Sequence, residues 1–249
     1  MLPRKESFGQ YSLFLQREVS FDVYLPANTR DTPHLLLIND GQDLEQMGFP
    51  AMLEHLQDTT HPSLWAVAVH AGAQRLQEYG TAKHVDYQGR GCKAGLYTRF
   101  IVRELLPFLQ QRYHQAFPDK TFAGFSMGGL SALDIVWNNP QHFRKAGVFS
   151  GSLWWRSSND DAHHRIMHRQ VKEGRFHPDL RFFFEAGTED EKTDRNDAVH
   201  DTEELVSLLE EKGYEKGKHI QYTLVEGGKH DLATWAGVMP GFLEWVVKA

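Results

Sequence analysis

Gly124-Phe125-Ser126-Met127-Gly128 is the stretch of this 249-residue chain whose residue types and spacing carry the clearest chemical consequence. A serine flanked in this way suits a sharp strand-to-helix turn that lifts its hydroxyl above a sheet. The glycines are needed because a side chain at either position would strike the neighbouring strand or helix where the backbone reverses. A serine hydroxyl is a weak nucleophile at neutral pH, so it needs a base that titrates near 7, and that base is histidine. In this arrangement the base comes last, on a loop between the final strand and the final helix. His230, in Glu226-Gly227-Gly228-Lys229-His230-Asp231, holds that place, and no histidine follows it. The acid that orients the base must lie between the two, on a loop after a strand. The loop after Phe182-Phe183-Phe184-Glu185-Ala186-Gly187 offers several carboxylates: Asp190 is favoured, Glu189 and Glu191 remain alternatives, and Asp194 is a weaker one. A helix starting directly after Ser126 aims its N-terminus at the reacting centre, which makes the Met127 N–H one oxyanion donor. The loop Asn39-Asp40-Gly41-Gln42 is the expected source of the second, through the Gln42 N–H.

The elements that must carry these residues follow from apolar patterning. Residues 35–38 and 65–69 are short unbroken apolar runs, as in strands covered on both faces. Further strands are expected at 121–125, 146–150, 181–185 and 220–225. Helices are expected at 51–56, 97–113, 130–137, 202–212 and 232–247, the third ended by Pro140 and the fourth by Gly213. Ahead of them, 11–16 and 19–25 alternate polar and apolar and read as two antiparallel strands. Alternating strands and helices predict a doubly wound α/β sheet. The polar stretch 154–178 interrupts the alternation and is expected to be an inserted helix and loop, either a cap over the site or a solvated surface segment.

Six segments together resemble the esterase family of α/β-hydrolases that takes in esterase D, feruloyl esterases, mycolyltransferases and enterochelin esterases. They are Val23-Tyr24-Leu25-Pro26, Leu37-Ile38-Asn39-Asp40-Gly41-Gln42, Glu104-Leu105-Leu106-Pro107-Phe108, Gly124 to Gly129, Ser150-Gly151-Ser152-Leu153-Trp154-Trp155, and Gly228-Lys229-His230-Asp231. The resemblance covers nearly the whole chain. It implies an α/β-hydrolase fold over 1–249, with a mostly parallel central sheet, helices on both faces and an antiparallel N-terminal edge. The Ser-Gly-Ser-x-Trp-Trp stretch is nearest the siderophore esterases, and the resemblance implies aromatic residues beside the substrate, here Trp154 and Trp155, with Trp235 a weaker candidate. Family members carry Arg and Glu-Tyr near 75–79; Arg75 and Glu78 are expected to tie that loop down as an ion pair, and Arg90 either to brace the loop or to face an anionic substrate. No formylglutathione-hydrolase signature is evident around Ser150, so the ester itself stays open.

The implied reaction is cleavage of a small-molecule carboxylic ester through an acyl-enzyme. Acyl transfer and thioester hydrolysis use the same triad, and a binding protein on a hydrolase scaffold is the reading from another class. Lys+Arg 27 against Asp+Glu 33, a net charge of −6, excludes the strongly basic surface of a nucleic-acid binder. No apolar run suits a membrane span or a signal peptide, which predicts a soluble, cytoplasmic protein. Cys92 is the single cysteine, so an intrachain disulfide and a thiolate cage are excluded. His163, His164 and His168 lack an acidic partner in the zinc-protease pattern and are expected on a solvated face. No cofactor is expected.

Overall fold

Leu35, Leu36, Leu37 and Ile38 are all buried because helices cover both faces of their strand. Leu35 and Leu37 enter one core, and Leu36 and Ile38 enter the other. The computed structural model describes residues 3–27, 32–60, 63–158, 165–190, 192 and 197–248. Among them eight strands form one sheet: β1 (Arg4–Ser12), β2 (Arg17–Leu25), β3 (His34–Asn39), β4 (Leu64–Val69), β5 (Asp119–Phe125), β6 (Lys145–Phe149), β7 (Arg181–Gly187) and β8 (Ile220–Val225). Their order is β1-β2-β4-β3-β5-β6-β7-β8. The pairs β1/β2 and β2/β4 are antiparallel and the rest are parallel. This is an α/β-hydrolase fold with an antiparallel N-terminal edge, as the sequence predicts.

Helices α1 (Phe49–Thr60) and α8 (Leu232–Lys248) cover one face. The other is covered by α3 (Ala94–Phe100), α4 (Leu106–Tyr113), α5 (Met127–Asn138), α6 (Ile166–Glu173) and α7 (Ala198–Lys212), with the four-residue α2 (Arg75–Glu78) in the loop between β4 and α3. Among the described residues no helix is long and apolar enough to cross a membrane.

Several boundaries differ from the expectation. The first strand begins at Arg4, and residues 13–16 are the turn, closed by the Gln16 N–H on the Ser12 carbonyl (2.8 Å). The predicted helix 97–113 starts at Ala94 and widens into a π-turn over Ile101–Leu105, just before Pro107, whose ring nitrogen has no proton to offer a carbonyl. Helix α7 starts at Ala198, where the Asp197 side chain accepts the His200 N–H and so caps it. In the stretch 154–178, α6 packs on α7, and residues 159–164 lie outside the described residues.

Candidate active site

The parallel strands all deliver their loops to one edge, and their register lines up what they deliver. Phe125 of β5 pairs with Phe149 of β6, Phe149 with Glu185 of β7, and Glu185 with Thr223 of β8. Ser126 and Ser150 therefore leave the sheet side by side. Both have left-handed backbones, φ 54 and 44, a conformation that costs a non-glycine residue about 1–3 kcal/mol and persists only where its surroundings enforce it. At Ser126 the enforcement is visible. Its N–H donates to the Phe149 carbonyl (2.9 Å), and its carbonyl accepts the N–H groups of Gly129, Leu130 and Ser152. A Cβ on Gly124 would stand 2.5 Å from the Gly128 carbonyl, and one on Gly128 would stand 2.8 Å from the Asp40 carboxylate. The two glycines are thus required by backbone and carboxylate contacts.

His230, after β8, and Asp190, after β7, meet at 2.7 Å from Nδ1 to Oδ1. Since a carboxylate only accepts, Nδ1 carries the proton and Nε2 is left as the acceptor. The two loops are zipped together: the Glu189 N–H donates to the Gly228 carbonyl (2.8 Å), and Gly187 lies so close to Gly228 that a Cβ would fall 2.2 Å from its carbonyl oxygen. Glu189, one of the alternatives, points outward and lies 3.8 Å from the Lys229 ammonium. Glu191 and Asp194 lie outside the described residues.

Ser126 and His230 open onto one cavity of about 350 Å³, lined also by Phe125, Trp235, Asp40, Gln42, Asp43 and Arg75. Trp235 stacks on Phe125 (5.0 Å) and stands edge-on to His230 (5.2 Å, 79°). Gln42 sits in a one-turn 3₁₀-helix, Gly41–Asp43, whose first amides have no partner within the helix. That loop is locked from several directions. The Asp40 N–H donates to the Tyr79 hydroxyl (3.2 Å), and the Asp40 carboxylate takes a two-pronged bond from Arg75, 2.7 Å on each side. The Asn39 amide donates to the Gly128 carbonyl (2.8 Å) and accepts the Tyr97 hydroxyl proton (2.6 Å), which couples the loop to the start of α5.

Other expectations are corrected. Arg75 does not pair with Glu78; it holds Asp40, while Glu78 is clamped by Arg17 (2.7 and 2.5 Å). Trp154, Trp155 and Arg90 do not line the cavity at Ser126. Trp155 is wholly buried, its ring filling the space left by Gly80 and Gly91. Arg90 lies over both indoles, 4.9 and 5.5 Å from their centroids, with its guanidinium bound to Asp86. Its charge is thereby committed to bracing the loop. His168 is no surface residue: its Nε2 bonds the Asp201 carbonyl (2.8 Å), and burial pushes its pKa down to about 4. Among the described residues no group of His, Cys, Asp and Glu could hold a metal ion, and His163 and His164 lie outside them.

Glu185 escaped the sequence reading. It is the one charged residue inside the run 182–187, and a charge within a strand buried on both faces is the signal that could have found it. Its side chain is fully buried behind Ser150 and Asp190, and burial, reinforced by the Asp190 charge, pushes it up to about 7.

The family model described as "Putative esterase" matches residues 12–246. The chain belongs to this esterase family. Its class is therefore that of the carboxylic ester hydrolases. Among curated proteins it is 26% identical over 225 residues to the uncharacterized protein YjcH of Bacillus subtilis (strain 168), covering 85% of this chain and 88% of that one. Among solved structures it is similar to the enterobactin esterase FES from Shigella flexneri, with a TM-score of 0.78 and 22% identity over 98% of this chain. The chain spans 58% of the length of that enzyme. It is also similar to a ferulic acid esterase, with a TM-score of 0.74 and 18% identity, covering 99% of this chain and 98% of that one. At such identities these two likenesses speak for the fold.

Proposed function

We propose that the protein is a serine hydrolase that cleaves a small-molecule carboxylic ester through an acyl-enzyme on Ser126. His230 is the general base and acid, and Asp190 orients it. The observation that carries the reading is the 2.7 Å bond between His230 and Asp190, on a histidine that shares one cavity with a serine held at φ 54. Nε2 of His230 takes the Ser126 proton as Oγ attacks the ester carbonyl, and Asp190 stabilises the imidazolium that forms. The carbonyl oxygen gains negative charge at the N-terminus of α5, where the Met127 N–H and the Gln42 N–H receive it. Collapse expels the alcohol, which takes its proton from His230. Water then enters and gives a proton to His230 as its oxygen bonds the acyl carbon; the bond to Oγ breaks, the acid leaves, and Ser126 takes that proton back from His230.

A cavity of about 350 Å³ suits a compact acyl group, and Phe125 and Trp235 offer it apolar walls. The net charge of −6 favours a small-molecule partner over nucleic acid. The test is hydrolysis of short-chain p-nitrophenyl esters by wild type and Ser126→Ala, with mass spectrometry after an organophosphonate. Loss of turnover in the variant, with the label on Ser126, is expected. A wild type that stays inactive and unlabelled overturns the reading in favour of a binding protein on this scaffold. Adding an acceptor alcohol and analysing the products separates hydrolysis from acyl transfer.

A further inference from the structure

The loop after β6 touches both halves of the candidate machinery. At one end the Ser152 N–H donates to the Ser126 carbonyl (3.1 Å), and the Ser152 hydroxyl lies 3.4 Å from Ser126 Oγ. At the other, the Ser150 hydroxyl accepts the Trp235 Nε1–H (2.9 Å), and Trp235 stands edge-on to His230. What holds this loop is Glu185. Its Oε2 accepts the Ser150 N–H (3.0 Å) and the Ser150 hydroxyl proton (3.3 Å), while its backbone carbonyl accepts the same N–H (3.0 Å). Ser150 needs such anchoring because its backbone is left-handed. The bond directions are forced. Trp235 can only donate, so the Ser150 hydroxyl must spend its own proton elsewhere, and Glu185 is the acceptor it finds.

We infer that Glu185 is a positioning residue for the reaction: by fixing the Ser150 hydroxyl it sets Trp235 against the His230 imidazole and keeps the loop after β6 in register with Ser126. This rests on the Ser126–His230 reading. The second carboxylate oxygen, Oε1, is buried with no hydrogen-bond partner, which is where a neutral carboxyl would carry its proton while Oε2 remains an acceptor. Burial favours that neutral form, as does the neighbouring Asp190 charge; His230 acts in the opposite sense. Tyr222, on β8, is the further titratable group that feels this carboxyl. In either form the link to Ser150 and Trp235 is kept, but the ionised form adds a negative charge beside His230.

The experiment compares wild type, Glu185→Gln, Glu185→Leu and Ser150→Ala on one p-nitrophenyl ester across pH, with Ser126→Ala and phosphonate labelling alongside. Glu185→Gln keeps an acceptor and no charge: its plateau kcat is expected within about threefold of wild type, with the acid limb of kcat/KM moved to lower pH by up to roughly one pH unit. Glu185→Leu and Ser150→Ala are expected to lose about tenfold or more in kcat with KM nearly unchanged, since only the alignment of the base is lost. Should Glu185→Leu fail to fold, Ser150→Ala decides the matter alone. Wild-type kcat in Ser150→Ala, or a kcat in Glu185→Gln as low as in Glu185→Leu, overturns the inference. Persistent activity or labelling in Ser126→Ala overturns the reading beneath it, so the two failures are distinguishable.

Discussion

Replacing Asp190 by Asn removes a charge and leaves the shape, so it isolates what the carboxylate does for His230. In the proposed mechanism the imidazole becomes a cation when it takes the Ser126 proton, and the carboxylate stands 2.7 Å away. Two unit charges at that separation attract by about 6 kcal/mol at an effective dielectric constant of about 20. The Asp190 side chain is 1% exposed but that of His230 is 24% exposed, so water screens part of this. About 3–5 kcal/mol remains, a fall in kcat of about 10²–10⁴. The amide adds a second loss: its NH₂ group facing Nδ1 drives the ring proton to Nε2, where the base would offer Ser126 a donor in place of an acceptor. KM should hold, because the interaction exists only once the charge has formed. Steady-state hydrolysis of a p-nitrophenyl ester reads this directly, with Glu189→Gln as the outward-facing control expected at wild-type kcat. A kcat for Asp190→Asn within about threefold of wild type would refute the reasoning, and the acid would then have to be sought elsewhere.

Arg75→Met strips both bonds from a carboxylate whose side chain is 5% exposed, and urea unfolding should show a loss of about 2–4 kcal/mol together with reduced turnover, since the same loop carries Gln42. Gly124→Ala presses a methyl group against the Gly128 backbone, which cannot swing aside; a cost of about 2–3 kcal/mol and loss of phosphonate labelling are expected. His168 stays neutral in the fold down to about pH 4, whereas in the unfolded chain it takes its proton near 6.5. Its contribution is therefore full above pH 6.5 and is lost as pH falls to about 4, up to about 3 kcal/mol in all; unfolding free energies at pH 7 and 4.5 should differ less in His168→Gln than in wild type.

Strand and helix order was legible because burial on both faces leaves unbroken apolar runs, and the turn at Ser126 because its glycines stand at backbone contacts. Asp190 could be favoured but not separated from Glu189: what brings Asp190 to His230 is the pairing of Gly187 with Gly228, a contact between two loops distant in sequence. The partners of Arg75 and Glu78 are hidden from the sequence for the same reason, since Asp40 reaches Arg75 from the loop after β3 and Arg17 reaches Glu78 from the start of β2. Trp155 shows the opposite limit. A tryptophan is chemically suited to a ligand and equally suited to filling the space over two glycines, and only packing decides.

Among the described residues strand β8 is an edge of the sheet, with β7 as its one strand neighbour, yet the loop that follows it carries His230. An edge strand opens more easily than the middle of a sheet. Transient release of β8 would displace the proposed base while the remaining seven strands stay paired. Turnover should therefore fade on heating before the bulk of the secondary structure melts, and amide hydrogens of β8 should exchange ahead of those in β3 and β5. The same asymmetry bears on synthesis at the ribosome: Ser126 and its strained turn can form early, but the proposed base joins it only once β8 has docked.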